Sequence, residues 1–132
     1  MAAYQYAETG LPVCAIFNAG RNEIATATYQ KKYGKWQEIS KAEIVTVEYL
    51  CKHITKKTMF CGEFLPAVTD QIKSVLKAKA VIPPQIPDIK RAGFLLELGK
   101  QRLDAGDADD AVTLAPIYLR RPPIGAPKKE QL

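Results

Sequence analysis

The chain has 132 residues, 47% of them apolar and 25% charged, with a formal net charge of +5 and a pI near 9.1. That is the composition of one globular domain, which at this size buries roughly two-thirds of the surface its unfolded chain would expose. It excludes a disordered chain, and no apolar run reaches the ~18–20 residues of a membrane-spanning helix.

The opening residues, MAAYQYAETGLPV, carry neither a basic segment nor an apolar core, so no secretory signal is read there and a cytoplasmic location is expected. Ala2 to Glu8 are good helix formers that stop at Gly10, a favoured residue just past a helix end. Pro12 to Phe17 form a short continuous apolar run, the pattern of a strand buried on both faces and central in a sheet. Asn18 to Asn22 supply turn residues, and Ile24 to Tyr29 read as a second strand. A Tyr33-Gly34-Lys35 turn leads to a third strand around Trp36 to Ile39, completing an antiparallel meander.

The period then changes to that of a helix. Thr46 is a candidate N-cap, and Val47, Leu50, Cys51 and Ile54 fall at i, i+3, i+4, i+7. Thr58 to Cys61 form a short strand ended by Gly62, and Pro66 opens a second helix whose apolar face is Val68, Ile72, Val75 and Leu76. Ala80 to Ile82 make a brief strand before Pro83-Pro84. Asp88 caps the longest helix, whose stripe of Ile89, Ala92, Gly93, Leu96, Gly99 and Leu103 is expected to pack on the sheet, and Gly106 closes it. The order predicts an α/β domain: a mixed five-stranded sheet with helices on its faces, three strands antiparallel and two joined by right-handed crossovers. That is the arrangement of the ribonuclease H-like fold. The domain is expected to span residues 1–122, with 123–132 a flexible tail.

Little in the chain points to chemistry. Cys14, Cys51 and Cys61 are three, widely spaced and set among apolar neighbours, so they read as reduced and buried. His53 lies two residues from Cys51, a spacing that sends the two side chains to different helix faces. Ser40 and Ser74 have no histidine near them in sequence, and no phosphate-cradling glycine motif occurs. Asp104, Asp107, Asp109 and Asp110 crowd around Gly106 but lack the spacing and closing glutamate of a calcium loop. Lys31, Lys32 and Lys35 flank a turn, and Lys52, Lys56 and Lys57 surround a helix end; both groups read as solvated charge. No catalytic, cofactor-binding or metal-ligating residue is assigned.

Three stretches carry a resemblance. The most specific is the C-terminal run with Gly106, Asp109, Asp110, Leu114, Pro116, Tyr118, Leu119, Arg120 and Pro122; the others are Pro12 to Glu23 and Phe60-Cys61-Gly62-Glu63. Together they resemble the C-terminal lobe of the TsaB (YeaZ, glycoprotease-like) family, over essentially the whole chain. That family supplies the non-catalytic partner in bacterial threonylcarbamoyladenosine synthesis on tRNA, and it is similar to the actin, Hsp70 and sugar-kinase superfamily. Where family members usually carry Asp-Ala-Arg-Arg, this chain has Asn18-Ala19-Gly20-Arg21, so one carboxylate and one arginine are missing from that turn. No stretch matches the family's N-terminal lobe, so the resemblance implies half of such a protein: a truncated product, a mis-called start or an isolated lobe.

The resemblance implies a scaffold or dimerisation role supporting a TsaD-like catalytic subunit, with a TsaE-like ATPase as a further partner. Nucleotide, metal and catalysis then belong to the partner complex, and contact with tRNA is indirect. A stand-alone nucleotide-binding or peptidase-like enzyme is the alternative. Pro116, Tyr118 and Leu119 are expected to anchor the C-terminal segment, and Arg120 and Arg121 are the candidates for a tRNA or partner contact. An exposed apolar patch is also expected, where the other lobe would sit.

Overall fold

The apolar run after Pro12 forms β1 (Val13–Gly20), in which Val13, Cys14, Ala15 and Ile16 are all buried. Burial of consecutive residues needs cover on both faces, and β1 is the middle strand of the five. The computed structural model describes residues 1–84 and 89–120. On one side of β1, β2 (Glu23–Lys32) and β3 (Lys35–Val45) pair antiparallel. On the other, β4 (Thr58–Cys61) and β5 (Ala80–Val81) pair parallel, giving the order β3-β2-β1-β4-β5. The fold is thus α/β with a mixed five-stranded sheet, as composition and periodicity predict.

The β2–β3 hairpin is longer than the sequence pattern indicates. Register shifts at Thr26/Thr28 and Thr28/Tyr29 break the two-residue alternation, and β3 is an edge strand whose residues are mostly exposed. An edge strand facing water needs no apolar alternation, so periodicity alone cannot trace it.

One face of the sheet carries α1 (Val47–His53) and α2 (Leu65–Leu76). The Thr46 hydroxyl accepts the Tyr49 backbone N–H at 3.2 Å, capping α1. Leu50, Cys51, Leu65, Val68, Ile72 and Leu76 close over Cys14, Ile16, Ile24 and Phe60 to form the main core. Val75, expected in the α2 stripe, is 54% exposed; it stands at the margin and Leu65 takes its place inside. The turn into α2 is tight. Gly62 has φ +112°, and a Cβ there would meet the Ile16 carbonyl oxygen at 2.2 Å.

The opposite face is covered differently. The expected leading helix is a 3-10 helix, Tyr4–Thr9, ended by Gly10 at φ +69°. Ala3 packs with Val13, Ala15, Met59 and Cys61 in a second, smaller core. Outside this layer lies α3 (Ile89–Asp104). It ends in a Schellman motif: the Gly106 N–H donates to the Leu103 carbonyl at 3.0 Å and the Asp107 N–H to that of Arg102 at 2.9 Å. The expected cap Asp88, Arg121 and Pro122, and the tail 123–132 lie outside the described residues.

Candidate interaction surface

Here α3 overturns an expectation. Its predicted apolar stripe does not pack on the sheet: Ala92, Gly93 and Gly99 are exposed, and Leu96 and Leu103 are 74% and 67% exposed. The reason is what lies between. The 3-10 helix already occupies the sheet face, and it offers α3 an aromatic contact rather than an aliphatic floor. Tyr4 meets Phe94 edge-on at 6.2 Å and Trp36 edge-on at 5.5 Å, and Trp36 stacks on Tyr29 at 5.7 Å. The Tyr4 hydroxyl donates to Glu97 Oε1 at 2.8 Å and accepts from Gln101 Nε2 at 2.9 Å. Burial and the bond to the Glu97 carboxylate raise the Tyr4 phenol above its ordinary range, against the opposing bond from Gln101. The inward face is therefore Phe94, Glu97, Leu98 and Gln101, also spaced at i, i+3, i+4, i+7. That second helical series was available in the sequence, but its polar members hid it behind the purely apolar one.

The outward stripe has a definite pattern. Ala92, Leu96, Gly99 and Leu103 are spaced 4, 3 and 4 residues apart, the repeat of a helix–helix seam, with small residues alternating with leucine. Beyond α3 the exposed apolar side chains continue in Val112, Leu114 and Ile117. Single exposed apolar residues are ordinary; here several stand in one row on one helix at the spacing with which helices pack together.

Of the residues expected to anchor the C-terminal segment, Pro116 is exposed and Tyr118 is 74% exposed. Leu119, 43% exposed, borders an apolar trough of about 210 Å³ over Ala15, Phe17, Ala25 and Ala27 on the sheet. Arg120 closes the arrangement: its Nη2 donates to Glu23 Oε2 at the start of β2. A one-third-exposed ion pair of this kind is a charge-assisted contact of modest worth. Glu23 was visible in the sequence, but nothing there joins it to a residue 97 positions later.

The remaining groups are structural or solvated. Arg102 holds Asp107 at 2.8 Å and Asp109 at 3.4 Å, keeping the Asp107 carboxyl below its ordinary range, while Lys100 pairs with Asp104. The Asp110 carboxylate accepts the Val112 N–H at 2.9 Å, a local turn. Among the described residues no three His, Cys, Asp or Glu side chains gather as a metal site. No family model matches the chain, and no curated protein is significantly similar to it. The three cysteines are buried and none is in a disulfide, and burial raises the Cys14 and Cys51 thiols above their ordinary range. Cys51 points into the core while His53 faces out and bonds the Tyr49 carbonyl at 2.8 Å, so the two form no nucleophile pair. Among the described residues, no helix is long and apolar enough to cross a membrane.

Proposed function

We propose that the chain is a non-catalytic interaction lobe, ribonuclease H-like in fold and resembling the C-terminal lobe of TsaB-like proteins. In this reading it supports a TsaD-like catalytic subunit in the cytoplasm during threonylcarbamoyl transfer to tRNA, and catalysis, nucleotide and metal belong to that partner. The strand order β3-β2-β1-β4-β5, a meander followed by two parallel strands, supports the fold assignment. The observation that carries the function is the solvent-facing seam of α3, Ala92-Leu96-Gly99-Leu103. A helix face that is apolar, regularly spaced and uncovered is what a partner-binding element presents.

The test is co-purification with a TsaD-like subunit. The unmodified chain retains that subunit, and the double variant Leu96→Asp/Leu103→Asp weakens capture at least about tenfold, because two charges are forced into an apolar contact. The circular dichroism spectrum stays unchanged, since neither side chain is in the core. Failure of the unmodified chain to retain the subunit, or full retention by the variant, would sink the reading.

A further inference from the structure

Two lysine groups that are separate in the sequence meet in the fold. Lys32, at the end of β2, and Lys56, in the loop between α1 and β4, line one cleft of about 270 Å³. Its floor is the part of the β2–β3 hairpin that α1 leaves uncovered, where Ser40 and Gln30, whose amide donates to the Gly10 carbonyl at 2.8 Å, lie beside a half-exposed Ile39. Its wall is α1, from which Tyr49 and His53 stand with ring centroids 4.1 Å apart. Tyr49 is 47% exposed. Because the Tyr49 carbonyl can only accept, His53 Nδ1 is the donor in their 2.8 Å bond, which leaves Nε2 available.

The charges here are unspent. Lys31, on the other face, is paired with Glu8 at 2.6 Å, and Lys100 with Asp104. Among the described residues neither Lys32 nor Lys56 has an ion-pair partner, and the single carboxylate in the lining is Glu43. Two separated cations, a floor of mixed polar and apolar side chains and a half-exposed ring pair do not suit a purely apolar ligand. The volume is also below the roughly 300–1,000 Å³ of an enclosing small-molecule pocket. They suit an extended chain with phosphates at intervals and flat bases between them. Phosphates would meet the lysines, a base would stack against Tyr49 and His53, and Glu43 would accept from an exocyclic amino group.

We infer that this cleft binds single-stranded nucleic acid. The site lies away from α3 and does not depend on the scaffold reading. The probe is a fluorescein-labelled 12-nucleotide oligoadenylate, titrated with the full chain by fluorescence anisotropy between 50 and 200 mM salt. Binding saturates, and Lys32→Ala/Lys56→Ala weakens it at least about tenfold and flattens the log–log salt slope by about 1.4, two phosphate contacts at about 0.7 each. Tyr49→Ala weakens it between about five- and a hundredfold through lost stacking. Lys32→Arg/Lys56→Arg restores binding, and Lys73→Ala, on the outside of α2, leaves it unchanged. The inference is overturned if binding never saturates at the lowest salt. It is equally overturned if Lys32→Ala/Lys56→Ala leaves affinity and slope intact, or if Lys73→Ala costs as much.

Discussion

The helices α2 and α3 look alike in sequence and end up in opposite circumstances. Both carry aliphatic residues at helical spacing, yet α2 buries Leu65, Val68, Ile72 and Leu76, whereas α3 turns Leu96 and Leu103 to water. The difference lies beneath them. α2 arrives from a parallel crossover directly onto Cys14, Ile16 and Phe60, a bare apolar sheet face. α3 arrives over a face already covered by the 3-10 helix and is held there by Tyr4 through ring edges and hydrogen bonds. Periodicity reports that a helix has an apolar face; it does not report what the domain keeps for that face to cover.

The comparison is easiest to break where α2 is tied to the sheet. Gly62→Ala places a methyl group 2.2 Å from the Ile16 carbonyl oxygen at a φ of +112°, and Ile16 is fully buried in the central strand. The backbone has nowhere to go, so a loss of about 4 kcal/mol or more is expected in urea unfolding, or no folded protein at all. Next comes Ile72→Ala in the α2 stripe. Ile72 is fully buried, and the cavity left behind costs about 3 kcal/mol, within the usual range for this truncation. A loss below about 1 kcal/mol at Ile72 would mean that α2 is no better seated than α3.

How much of this could be read beforehand follows the same division. Strand β4 lies at the residues its β-branched and apolar run predicts, Thr58–Cys61, and the Thr46 cap is where the Ser/Thr preference puts it. Gly10 and Gly106 take positive φ at the helix ends that they close. These are local matters, settled by neighbours in the chain. The length of β3 was not legible, because its inward residues stand only near its ends, Trp36 and Val45, and the mostly exposed stretch between them shows no two-residue alternation of burial. Nor was the Arg120–Glu23 pair, or the meeting of Lys32 with Lys56, since both depend on how distant elements are brought together. The candidate surfaces were thus visible as residue types and invisible as sites.

Alkaline titration should separate the two sides more gently. Beneath α1 and α2, burial holds the Cys14 thiol protonated above its ordinary value of about 9, although hydrogen bonds from Thr26 and Thr28 oppose the shift. The unfolded chain therefore loses this proton first as pH rises, so it binds fewer protons than the folded chain and the stability of the fold falls with pH. The contribution is complete below about pH 9, with a slope beyond it of at most about 1.4 kcal/mol per pH unit for one group. Urea midpoints measured from pH 8 to 10 should decline, and Cys14→Ala should flatten the decline. Around α3 the charged pairs of Lys100 and Arg102 are solvent-exposed, and their substitution should leave the profile unchanged.

The smallest effect is the most discriminating. Leu96→Ala removes the same kind of aliphatic bulk as Ile72→Ala, from a helix with the same kind of pattern, but at a position 74% exposed. Little apolar area returns to water and no cavity forms, so its urea midpoint should move by no more than about 0.5 kcal/mol. Alanine even gains slightly over leucine in helix propensity. A loss near that of Ile72→Ala would show the α3 stripe buried in the isolated chain and would remove the surface on which the scaffold reading stands. A near-neutral stability with weakened capture of a partner would assign the same leucine to binding instead. Two similar helices would then be doing different work: one keeps its apolar face for the core, and the other keeps it for another molecule.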